Sequence, residues 1–341
     1  MLNRNLLLTF DYELFLGNRS GSVDNCLINP TNEILEILRR HNQIGVFFID
    51  TTYLFRLTKL VNEYKSVKLD FDKIKKQLIK IVADGHYIFH HLHPHWLDAK
   101  YIINTNEWDL SDNSRFVFQL LNKQEREQIF DFSFNFLSEI YKISNSNKLP
   151  NGYRAGGLFI EPFDIIKPFF EKYNIENEFS VIPGSKRDGY PFEYDFSNSP
   201  SERKYNFSTF IHKEDKGGSF TQYPISKLKI VGLNKILNGI NYRFMKNNSE
   251  YKPFGDGKSV SSKINTGLKR KSFLNYFSME MPVSVEMLNP VITKSVLKIL
   301  RRKSYLHILS HPKLITPVSL KQLDYMLAKI NKQYSVNRID F

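Results

Sequence analysis

The chain is poor in several features that would assign it to a large protein class. Its 341 residues include one cysteine, Cys26, which excludes a disulfide framework and any cysteine-based zinc site. No apolar run approaches the roughly 20 residues of a membrane span. The stretch from Met1 to Phe10 lacks the charged, apolar and small-residue zones of a secretory signal, so a cytoplasmic protein is expected. Acidic residues are in deficit, 35 Asp and Glu against 48 Lys and Arg, leaving a net charge of +13. General disorder is excluded from the other side of the composition, because 41% hydrophobic residues, with 28 Phe and 18 Tyr, can build a sizeable core.

The positive surplus is uneven. Eleven basic residues between Lys227 and Lys271 face only Glu250 and Asp256, so this stretch carries +9 of the +13. A field of that sign attracts phosphates. Nucleic acid is not the expected partner, since no reading motif accompanies the charge.

Hydrophobic patterning alternates between strand and helix. Asn5–Phe10, Gly45–Ile49, Tyr87–Phe89, the neighbourhood of Tyr153, and Phe179–Ile182 read as short buried strands. Between them lie amphipathic helices over Thr31–Arg40, Asp72–Asp84, Gln124–Ile143 and Pro162–Tyr173. The pattern lapses from about 184 to 277. It then resumes with a helix over Val291–Leu300, a strand over Tyr305–Leu309 and a helix over Ser319–Ile330. Such alternation predicts an α/β protein built on a parallel sheet, here one barrel domain over 1–341 with an insertion at about 184–277.

In parallel α/β folds chemistry collects at the carboxyl ends of the strands, and four such ends carry unusual residues. Thr9-Phe10-Asp11-Tyr12-Glu13 places two carboxylates two apart, one able to act as a base and one as a metal ligand, although a solvated turn would look the same. Gly85 to Trp96 holds five of the nine histidines within ten residues. His91 and His95 share a face if the segment is helical, and His91 and His93 share one if it is extended. Imidazoles so grouped suit zinc, cobalt, nickel, copper or iron. Tyr153-Arg154-Ala155-Gly156-Gly157 offers a carboxylate clamp with backbone N–H groups beside it. Leu306 to Pro312 delivers His311 at the end of an apolar strand.

Taken in order, these segments resemble the polysaccharide deacetylase family (NodB-like, carbohydrate esterase family 4). Finer matches resemble its WbmS-like branch, associated with bacterial surface-polysaccharide genes: Phe-Asp-Tyr-Glu-Leu at 10–14, His-Leu-His-Pro-His-Trp at 91–96, Arg-Ala-Gly-Gly at 154–157 and His-Pro-Lys at 311–313. The resemblance implies a distorted (β/α) barrel and one divalent metal ion, zinc first, with cobalt, nickel or manganese as alternatives. It implies Asp11 as catalytic base, Arg154 holding Asp11, and His311 as general acid. Glu13 and His91 would be metal ligands, with His93 and His95 competing for the remaining imidazole position. Tyr12 stands where the family commonly has a second aspartate. Gly157 would offer an oxyanion N–H, and Tyr194-Asp195-Phe196 is the nearest match to the family's Asp/Trp motif. The implied activity is removal of an N-acetyl group from a sugar in O-antigen, lipopolysaccharide or capsule precursor synthesis. The basic stretch 227–271 reads either as a solvated loop or as a lid that recognises phosphate; as a lid it would suit a sugar linked to a nucleotide or to polyprenyl diphosphate, the latter at the inner membrane surface. Hydrolysis of another C–N or ester bond, or carbohydrate binding without turnover, are the alternatives.

Overall fold

A computed structural model describes residues 2–17, 19–112, 114–189, 192–232, 248–258, 278–337 and 341. The strands are β1 (Leu2–Tyr12), β2 (Gly45–Asp50), β3 (Tyr87–Leu92), β4 (Lys100–Ile102), β5 (Glu107–Asp109), β6 (Gly152–Ala155), β7 (Asn177–Glu178), β8 (Lys186–Arg187), β9 (Tyr194–Asp195), β10 (Tyr205–Phe207), β11 (Phe220–Gln222), β12 (Lys227–Val231), β13 (Ser278–Pro282), β14 (Tyr305–Ser310) and β15 (Tyr334–Asn337). The α-helices among the described residues are α1 (Asn29–Arg40), α2 (Thr51–Thr58), α3 (Lys65–Ala83), α4 (Lys123–Ile143), α5 (Lys167–Tyr173), α6 (Pro290–Arg302) and α7 (Pro317–Gln333).

The main sheet runs β10-β11-β7-β6-β3-β2-β1-β14, with β15 beside the start of β1, and every pairing except β10 with β11 is parallel. It curls until its ends meet. Past β11 the chain continues extended, and Tyr223 and Ile225 donate to the carbonyls of Glu178 and Val181, both at 2.8 Å. Ser226 then donates to the carbonyl of His307 at 3.1 Å, which joins this edge to β14. The barrel is therefore distorted at one seam, closed by single hydrogen bonds and not by a full ladder.

Amphipathic helices cover the outside. α1 buries Ile34, Leu35, Ile37 and Leu38, and α3 buries Ile74, Leu78, Ile81 and Val82. α4 opens with a capping box between Asn122 and Glu125. No helix among the described residues is long and apolar enough to cross a membrane.

The stretch over 184–277 is not wholly an insertion. Its Tyr205–Ser226 part supplies β10, β11 and the seam that closes the barrel. Sequence patterning missed these strands because they are only three residues each, too short for a period-2 signal. Much of the basic segment 227–271 lies outside the described residues, so its expected anion and membrane contacts do too. Within it, 254–258 is strapped across the top of the barrel. Phe254 and Gly255 donate to the carbonyls of Ile315 and Lys313 at 2.9 and 3.0 Å, and Asp256 accepts from the backbone and hydroxyl of Ser22, both at 2.8 Å.

Candidate active site and metal centre

Side chains alternate across a strand, and this alternation builds the site. In β1, β2 and β3 one parity points outward to the helices, and the other fills the lumen with Leu7, Val46, Phe48, Tyr87 and Phe89, joined by Phe179 and Tyr223. Phe341 caps this cluster, with its ring 5.0 Å from Tyr87 and 5.4 Å from Phe89. The same lumen parity, followed to the carboxyl ends, delivers Asp11, His91, Arg154 and His307, all buried.

Arg154 is the hub of these groups. It is fully buried and donates to Asp11 Oδ1 at 2.5 Å, to Thr9 Oγ1 at 2.9 Å and to the carbonyl of Phe179 at 3.1 Å. Its guanidinium lies over Phe48, 4.1 Å from the ring centroid. His307 Nε2 sits 3.0 Å from Arg154 Nη2. A guanidinium only donates, so this nitrogen accepts, and Nδ1–H points to the carbonyls of Tyr223 and Pro224. Burial, and then the charge of Arg154, push His307 well below the usual imidazole range. It is a neutral structural partner.

Glu13, His91 and His93 converge above Asp11. Glu13 Oε2 is 2.5 Å from His93 Nε2 and 3.2 Å from His91 Nε2, and the two imidazole nitrogens are 3.0 Å apart. His91 donates Nδ1–H to the carbonyl of Arg154 at 2.8 Å, which turns Nε2 toward the group. Three donors around a zinc ion at about 2.0–2.2 Å would lie about 3.3 Å apart, so the donor set fits a divalent ion and two of the three separations come near it, while the Glu13–His93 pair is closer. This buried group is able to hold a metal.

His93, and not His95, completes the group. β3 stays extended through Leu92 and the 3₁₀ turn begins only at Pro94, so the helical relation between His91 and His95 never forms. Gly156 makes room for the His93 ring, since a Cβ there would lie 2.9 Å from His93 Nδ1 and 2.4 Å from the Leu92 carbonyl. Gly157 adopts φ +62°, turning the chain at the mouth of the site. His95 is also buried, stacked on Phe116 at 5.9 Å, with no partner on either ring nitrogen. Burial, then His93, hold it well below the usual imidazole range. The other clustered histidines are structural. His86 Nδ1 accepts from Gly45 N, and His90 bridges Ser133 and the carbonyl of Pro150. The turn itself is held by Asp50, which caps α2 and accepts from the Trp96 indole at 2.7 Å.

His311 stands at the rim, one-quarter exposed, with Nε2 3.7 Å from Asp11 Oδ2 and 3.8 Å from Glu13 Oε1. Its Nδ1 faces Glu286 Oε1 at 3.1 Å, and Ser310 holds the other oxygen of Glu286 at 2.6 Å. Burial alone would lower its pKa, but Glu286 and Asp11 outweigh that and raise it. Asp195 does not fill this place: it is exposed and paired with Lys186.

Two participants escape sequence reading. Glu286 lies in an irregular segment with no motif around it. Lys313 is buried, and its Nζ donates to Glu13 Oε1 at 2.8 Å and to the carbonyl of Leu14 at 2.6 Å. Burial pushes Glu13 up, but Lys313 and the two imidazoles prevail and hold it well below the usual carboxylate range. The His-Pro-Lys run was the only available signal, because residues two apart in a tight turn can face one centre.

No protein-family model and no curated protein matches this chain. Among solved structures it is similar to one assigned as a polysaccharide deacetylase from Mycobacterium smegmatis, at 13% identity and TM-score 0.48, over 97% of this chain and 85% of that one. It is also similar to the 4-alpha-glucanotransferase from Thermococcus litoralis, at 12% identity and TM-score 0.46, over 99% of this chain and 39% of that one. A third is the catalytic domain of peptidoglycan N-acetylglucosamine deacetylase from Eubacterium rectale, at 12% identity and TM-score 0.35, over 99% and 89%. Likeness at these levels carries no functional argument, which must come from the site.

Proposed function

We propose that this protein is a metal-dependent hydrolase that removes an N-acyl group, acetyl first, from a sugar. The observation that carries this reading is one cluster with a complete division of labour. Glu13, His91 and His93 offer three ligand atoms, while Asp11 stands beside them, held by Arg154 and outside the ligand group. His311 faces both carboxylates from the rim, backed by Glu286. A carbohydrate-binding protein has no need of that base and acid.

Amide hydrolysis requires a nucleophile, stabilisation of the tetrahedral oxyanion, and a proton for the leaving nitrogen. A divalent ion, when bound, supplies Lewis acidity, which lowers the pKa of water from about 16 toward 7. Arg154 fixes Asp11 through Oδ1 and leaves Oδ2 on the side of His311, where it would take the proton of the attacking water. His311, its pKa raised, would give a proton to the departing amine. The N–H of Gly157 would serve as an oxyanion donor.

The sequence resemblance and the net charge of +13 support a cytoplasmic surface-polysaccharide precursor, carried on a nucleotide or polyprenyl diphosphate, as substrate. The test is acetate release from N-acetylated nucleotide sugars and lipid-linked glycans. Zinc-loaded protein should release acetate and chelated protein should not. Equal rates in both arms would refute the metal-dependent reading.

A further inference from the structure

A shelf of aromatic rings leads away from the centre. Phe116 meets His93 at 6.5 Å between centroids, and it meets Phe192 at 5.7 Å and Phe159 at 6.0 Å. Phe159 and Phe192 lie 4.9 Å apart with their planes inclined by 50°, and the guanidinium carbon of Arg187 lies 5.0 and 4.8 Å from their centroids. Arg187 is only half-buried and pairs with no carboxylate among the described residues. Its neighbours differ: Lys186 contacts Asp188 and Asp195, and Arg203 holds Glu214. The arm that carries Arg187 is anchored. β8 pairs with β9, and next to them Gly184 donates to the Phe196 carbonyl at 2.7 Å while Phe196 donates to the Ser185 carbonyl at 2.9 Å.

We propose that Arg187 and the Phe116–Phe159–Phe192 shelf form a subsite for an anionic group, phosphate or carboxylate, on the sugar whose acyl group is cleaved. This rests on the hydrolase reading and names the class of substrate within it. The half-buried rings of Phe116 and Phe192, backed by the buried Phe159, can pack against the C–H face of a pyranose, and a guanidinium beside them offers an N–H fork that binds phosphate or carboxylate in two places. The cations deeper in the site are already committed, Arg154 to Asp11 and Lys313 to Glu13. Among the described residues, Arg187 is a cation beside these rings that no carboxylate engages.

The test is calorimetric titration of the zinc-loaded protein with three probes: N-acetylglucosamine 1-phosphate, N-acetylglucosaminuronic acid and neutral methyl N-acetylglucosaminide. At least one anionic probe should bind tenfold or more tighter than the neutral one. Arg187→Gln should reduce that ratio to threefold or less. Arg187→Lys should keep part of it, and Lys216→Gln, a remote exposed cation, should keep all of it. The anionic probe that loses its advantage identifies the group as phosphate or uronate. Equal binding of all three probes by the wild type, no binding of any, or a ratio unchanged in Arg187→Gln would overturn the proposal. A protein that binds no zinc and releases no acetate would instead overturn the hydrolase reading, so the two failures are distinct.

Discussion

Replacing Lys313 with methionine keeps a stem of similar length and removes the ammonium, with its bonds to Glu13 and to the Leu14 carbonyl. Both side chains of the Lys313–Glu13 pair are nearly dry, at 6% and 7% exposure. Breaking a buried pair by removing one partner costs about 3–5 kcal/mol. At roughly 2 °C per kcal/mol for a chain of this length, the metal-free variant should melt about 6–10 °C below wild type. The pH dependence has a definite sign. A depressed carboxyl contributes stability that is present above its unfolded value and lost as pH falls through the folded one, so the deficit should be full at pH 7 and shrink in acid. Zinc should reverse the order of effects. The ammonium and the metal compete for one carboxylate, so Lys313→Met should bind zinc at least tenfold more tightly and gain about 1.4 kcal/mol more from it. Melting curves in chelator and in excess zinc measure both halves. If the variant melts like wild type in chelator, or gains no more from zinc, then Lys313 does not balance the charge of Glu13.

Three further outcomes follow from the geometry. His93→Ala should lower zinc affinity by 10² or more, while His95→Ala should leave stoichiometry at one; metal analysis after dialysis decides, and the reverse result would restore His95 as the ligand. Asp11→Asn should keep zinc and lose turnover by about 10² or more, because Asp11 lies outside the ligand group; loss of zinc instead would recast it as a ligand. Glu286→Gln removes the strongest influence raising the His311 pKa, so the alkaline limb of the pH–rate profile should move to lower pH; an unmoved limb would show that His311 is not the acid.

Strand and helix alternation was legible because its cause is local. Buried parallel strands are short apolar runs, and the helices that cover them repeat every 3.6 residues. α1, α4, α6 and α7 accordingly lie within a few residues of their expected spans. Patterning failed at α2, which begins directly at the end of β2 with no connecting loop between them. It also failed at the barrel seam, where isolated hydrogen bonds replace a ladder.

Sequence alone placed Asp11, Glu13, the histidine cluster, Arg154 and His311 at strand ends, because a side chain's register along a strand is set by its own neighbours in the chain. It could not choose between His93 and His95. That choice depends on where β3 stops being extended, and on Gly156 of a neighbouring strand yielding the volume that the His93 ring occupies. Nor could it reveal Lys313 against Glu13, Glu286 behind His311, or Arg187 on its phenyl shelf. These are encounters between segments up to 300 positions apart, created only when the sheet curls and its two edges meet.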